Sequence, residues 1–177
     1  MEIGAMVIGV VGVAGTLGAA LLTQRGTERA KRREIELLRG QEEVRESQVL
    51  RRTCYIDLNR DARQFTTALN RHLHAMQEPG VGGADSDVLE AAKDAHRDRY
   101  SQAQMIAPDE VLARARLVNR ALYQLYGQVK RLERGAPEPG ETIQTAVRAK
   151  DDVWELIAEM RAAMRQDLGV AGGSVSA

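Results

Sequence analysis

Apolar residues recur every three or four positions along much of this chain, the period of a helix packed along one side. One row runs Tyr55, Leu58, Ala62, Phe65, Leu69, His72, Met76. A second, the most regular, runs Val111, Ala115, Val118, Leu122, Leu125, Val129, Leu132. A third places Ile143, Val147, Lys150, Trp154, Ile157, Met164 and Leu168 near one stripe. A shorter helix from about Asp87 to Ile106 carries Leu89, Ala92, His96, Ala103 and Ile106. Helices striped on one face must cover one another, so the rows predict an antiparallel bundle of about four helices over residues 53–168.

The breaks between rows agree with this division. "EPGVGGADSD", Glu78 to Asp87, reads as a loop, with Asp87 and Glu90 at capping-box spacing. Pro108 opens the next helix, followed by Asp109 and Glu110, which suit the positive end of its dipole. "RGAPEPGE", Arg134 to Glu141, breaks the third connection, and Gly169 closes the last helix. Residues 169–177 are expected to be a disordered tail.

The N-terminal run has a different pattern. Ile3 to Leu22 carries no charge, and as a helix its twenty residues reach about 30 Å, the thickness of the hydrocarbon core. Its large apolar residues each favour insertion by roughly 0.3 to 0.6 kcal/mol. Gly9, Gly12, Gly15 and Gly18 also suggest a dinucleotide loop, but none is two residues from another, and no second strand follows. A transmembrane helix over residues 3–22 is the better reading. Ala5, Gly9, Gly12, Thr16 and Ala19 line one face of it, where two copies could approach closely as a parallel homo-oligomer.

Charge sets the orientation. Only Glu2 precedes the run, whereas Arg25, Arg29, Lys31, Arg32 and Arg33 follow it. Positive flanks stay in the cytoplasm, so the N-terminus is expected outside and the long C-terminal part inside. The same five residues mark topology and can meet anionic lipid. The lone Cys54 fits a reducing compartment. Residues 24–52 read as a charged helical stalk, with Glu28–Arg32 and Arg39–Glu43 at i,i+4 spacing. Its apolar residues keep no single stripe and Gly40 interrupts, so it should be only partly packed.

Formal net charge is zero, and without the basic run the body is slightly acidic. That argues against nucleic acid as a partner, since a basic face is needed to release counterions. Candidate chemistry is sparse. His72 and His74 are two apart and fall on different helix faces, and no Glu-x-x-His motif supports a di-iron site. Cys54 falls on a packing face, which suits a buried thiol better than a nucleophile. Neither a cofactor nor a metal site is expected, and no acid, base and nucleophile assemble.

"RRTCYIDLNRDARQFTTALNRHLHAM", with "RYSQAQMIAPDEVLARARLVNRALYQLYG" and "MRQDLGV", resembles a group of small actinobacterial membrane proteins. The resemblance implies an N-terminal span, an Arg-rich stalk and a helical cytoplasmic domain, and carries over no functional residue. The expected fold is therefore all-α, and the expected function a non-enzymatic, membrane-tethered scaffold binding membrane lipid and a cytoplasmic protein. The alternative is a membrane-anchored regulator that holds a small ligand within the bundle.

Overall fold

The computed structural model describes the backbone of residues 3–77 and 84–170, and the side chains of residue 36, residues 38–77 and residues 86–170. Among these are four helices and no strand: α1 Ile3–Gln77, α2 Ala84–Ile106, α3 Asp109–Glu133 and α4 Ile143–Asp167. The fold is all-α. The chain divides into two units, Met1–Ser47 and Gln48–Ala177, the second holding the bundle.

Side-chain pairs fix the topology of that bundle. Arg99 of α2 reaches Asp61 of α1 at 3.4 Å, while Phe65 meets His96 four residues further along α1 and three back along α2. Those two helices are therefore antiparallel. Arg114 with Glu159, and Gln128 with Thr145, set α3 antiparallel to α4. Tyr55 with Asp167, and Arg63 over Trp154, do the same for α1 and α4. The result is an up-down-up-down bundle, the arrangement expected when short connections join neighbouring helices.

The first two rows are buried as the period predicts. Tyr55, Leu58, Ala62, Phe65, Leu69 and His72 of α1 are in the core, with Met76 partly buried at its end. Val111, Ala115, Val118, Leu122, Leu125 and Val129 of α3 join them, and Leu132 packs at the edge. Each fully buried Leu or Phe stabilises the fold by about 1.5–3 kcal/mol relative to exposure.

Helix α4 is turned from the expected stripe. Ala146, Val153, Ile157, Met160 and Met164 face the core, while Val147, Lys150 and Trp154 are only half-buried. Trp154 takes the seam with α1, its ring 5.7 Å from the Arg63 guanidinium, and the slimmer Val153 fills the interior. Apolar residues stand on two sides of this helix, so packing against α3 chooses between them.

Helix α2 starts at Ala84, three residues before the expected cap, so Asp87 lies inside its first turns. Glu90 is then free to bond Lys93 and Tyr126. Ile106, expected on the packed face, is 40% exposed. Pro108 is the N-cap of α3, with Asp109 and Glu110 in its first turn. Thr142 caps α4 through a reciprocal pair with Thr145, a signal hidden because threonine stands where Glu or Gln is usual. At the α4 end Gly169 adopts φ 67°, and Val170 N–H donates to Arg165 O at 2.8 Å, closing the helix.

Gly40 does not break α1, which continues through it. A glycine costs a helix about 1 kcal/mol relative to alanine, too little to end one flanked by good helix formers. All described side chains from Glu36 to Leu50 are exposed, including Leu38, Val44, Val49 and Leu50. No helix among the described residues is long and apolar enough to cross a membrane. The side chains of residues 3–22, where the span is expected, lie outside the described residues, as does the tail 171–177.

Candidate functional site

The residues expected to carry function are not placed by side-chain geometry. Arg25, Arg29, Lys31, Arg32 and Arg33, and the small-residue face Ala5, Gly9, Gly12, Thr16 and Ala19, lie on the α1 backbone with side chains outside the described residues. The bundle, in contrast, holds polar clusters that periodicity alone did not show.

The largest lies on the α1–α2 seam. Asp57 and Asp61 are one turn apart, and Arg60 reaches both, at 3.1 and 2.9 Å. Arg99 approaches the same two carboxylates from α2, at 3.8 and 3.4 Å. Two acids and two guanidiniums thus close a ring, which lets the buried Asp61 stay paired. Above the ring is a hollow of about 660 Å³, open to solvent and lined also by Gln64, Asp98 and Gln102.

A second cluster joins α2 to α3. Glu90 accepts from Lys93 and from the Tyr126 hydroxyl, while the Lys93 ammonium stands 4.7 Å from the Tyr126 ring centroid. The hydrogen bond from Lys93 holds the Glu90 carboxyl below its ordinary range, and burial, then Glu90, raises the Tyr126 phenol. In the core itself His96 is 1% exposed, between Phe65 and Tyr100, and the Asn119 side chain approaches its ring without full hydrogen-bond geometry at either nitrogen. Burial pushes it down to about 4, only partly opposed by Asn119 and Asp61, so the imidazole is neutral at pH 7. His72 is as deeply buried, its Nε2 3.3 Å from Glu133 Oε1 but without hydrogen-bond geometry. His74 is exposed on another face.

On the opposite side a hollow of about 710 Å³ lies along α3 and α4, with Tyr123, Leu156 and Asp152 in its lining and Arg131 at its rim. Arg131 binds Glu141 and passes over Gly127, where an added Cβ would stand 3.3 Å from its guanidinium. This hollow too opens to solvent.

Asp57, Asp61, Glu90 and Glu141 are each paired with a cation, and no group of three or more metal-ligating side chains occurs among the described residues. Cys54 is buried, and burial followed by Asp57 raises its thiol, so the nucleophilic thiolate is disfavoured. What the clusters do is fix the register of α2 against α1 and α3. No protein family, curated protein or solved structure matches the chain.

Proposed function

We propose that this protein is a membrane-tethered helical interaction module without catalytic activity. In this reading residues 3–22 cross the bilayer with the N-terminus outside, and the basic residues from Arg25 to Arg33 hold the inner surface. The exposed part of α1 is the stalk, and the bundle in the cytoplasm meets a partner protein. The small-residue face of the span pairs two copies in parallel.

The observation that carries the reading is the contrast along α1. From Tyr55 the row Leu58, Ala62, Phe65 and Leu69 is buried in the bundle, with Ile56 off that row exposed, whereas every described side chain between Glu36 and Leu50 is exposed. A bundle that closes its own core needs no such extension to fold, which leaves the exposed helix free to serve as a spacer. A small ligand held within the bundle would need an enclosed cavity between the helices, and the two described hollows are open seams.

Fusion of reporters after Ala177 tests the proposal. A fluorescent protein that matures only in the cytoplasm should glow in the membrane fraction, and deletion of residues 3–22 should move that signal to the soluble fraction. An active periplasmic phosphatase at the same point would overturn the orientation. A fluorescent signal that is soluble in the full-length chain would overturn the tether.

A further inference from the structure

Helix α2 commits less apolar surface to the core than its neighbours do. Among its described residues only Leu89, His96 and Ala103 are buried, seven apart along a single narrow row. Helix α3 buries seven side chains, among them Val111, Leu112, Val118, Leu122, Leu125 and Val129. In the α2 row Leu89 alone is a large apolar residue.

The middle of that row works against docking. His96 is stripped of water, and although the Asn119 side chain approaches its ring, neither nitrogen gains a contact of full hydrogen-bond geometry. Undocking would return both nitrogens to water, so the cost of burying them favours the open state. The contacts that hold the helix lie at its margins. Arg99 reaches Asp57 and Asp61 with its side chain 36% exposed, and Glu90 bonds Tyr126 with its own 38% exposed. The Arg99–Asp57 and Glu90–Tyr126 contacts are exposed enough to contribute little and to weaken with salt, whereas Arg99 also meets Asp61, whose side chain is only 6% exposed.

The other helices are joined more firmly. Ile157, Met160 and Met164 of α4 share the core with Val118, Leu122 and Leu125 of α3. Tyr55 and Arg51 tie α1 to Asp167 of α4. We infer that α2 is a separately releasable helix: it undocks as a unit while α1, α3 and α4 stay together, uncovering the Phe65, Tyr123 and Tyr126 rings that pack between α1 and α3. The bundle would then have a built-in opening motion, confined to one helix and weighted by one buried histidine. This inference holds whether or not the chain is tethered to a membrane.

Amide hydrogen exchange of the full-length chain, read by mass spectrometry, tests it. Peptides from Leu89 to Ile106 should exchange about 100-fold faster than those from Val111 to Val129, as expected of a local opening below the global one. Added salt should widen the gap. His96→Leu should narrow it at least about tenfold without changing the α3 peptides, because the unpaired nitrogens are gone. Leu89→Ala should accelerate α2 alone. Equal rates for α2 and α3 in the unaltered chain would overturn the inference, as would a gap unmoved by His96→Leu. Acceleration of all four helices together by Leu89→Ala would overturn it too, since α2 would then unfold only with the rest.

Discussion

The Tyr55 hydroxyl donates a 2.7 Å hydrogen bond to Asp167 Oδ2, joining the first buried turn of α1 to the last residue of α4. Asp167 stands at the negative end of its helix, where a carboxylate is unfavourable. Arg51, 3.3 Å away, and the phenol together offset that repulsion. Burial and the same hydrogen bond raise the Tyr55 phenol well above its ordinary range, which keeps it a donor at neutral pH.

Tyr55→Phe should therefore lower stability by about 1–2 kcal/mol, the cost of a hydrogen bond to a charged acceptor. Asp167→Asn should cost less, because it removes the unfavourable charge together with the ion pair. Denaturant titration of both variants checks the order, and a larger loss for Asp167→Asn would show that Arg51 dominates the contact.

Histidine 96 should make stability depend on pH in a particular window. Its folded value near 4 lies below the ordinary 6.5, so the unfolded state binds the extra proton between them. Its contribution is complete above about pH 6.5 and falls away as the pH drops towards 4, by an amount on the order of 3 kcal/mol. The lowered carboxyl of Glu90 adds its own loss only further down, below its ordinary 4.5. Unfolding midpoints between pH 7.5 and 5 should fall in the unaltered chain and stay nearly level in His96→Leu.

Gly127 sits inside α3 at the point where Arg131 crosses towards Glu141. The new methyl of Gly127→Ala would meet only the tip of that flexible arm, at 3.3 Å. Alanine should thus stabilise α3 by about 0.5–1 kcal/mol through its helix propensity. Thermal unfolding reads the sign directly. A lower midpoint would mean that the grip of Arg131 on Glu141 outweighs the gain.

A chain beginning near Glu42 retains every residue of the bundle core and should be soluble, helical and cooperative in its thermal transition. Within it, Leu125→Asp places a charge at a site 1% exposed and should cost roughly 4 kcal/mol or more. A broad, non-cooperative melt of the unsubstituted fragment would show that residues before Glu42 are needed for the fold.

For the span, pairing through its small residues makes Gly12→Ile disruptive and Val11→Ile nearly silent in a bacterial membrane association reporter. Equal signals from these two variants and the unaltered segment would remove the proposed parallel contact.

Much of the architecture could be read from spacing alone. The rows from Tyr55 and Val111 are the long apolar sides of their helices, and the structure buries them while isolated apolar residues such as Ile56 and Leu117 stay exposed. The helix starting at Pro108 and the stop at Gly169 are equally local, because backbone chemistry decides them before any packing occurs. Tertiary structure decided what local pattern left open. Val153 and Trp154 are both apolar, and only the presence of α3 and α1 puts the first inside and the second on a seam. Asp61 and Arg99 stand 38 positions apart in the sequence, so their ring could not appear in any helical window. His96 showed the right position on its row, but the desolvation of its ring depends on what three helices bring around it. Periodicity reports which face of a helix is apolar, whereas pairing and desolvation are properties of the space between helices.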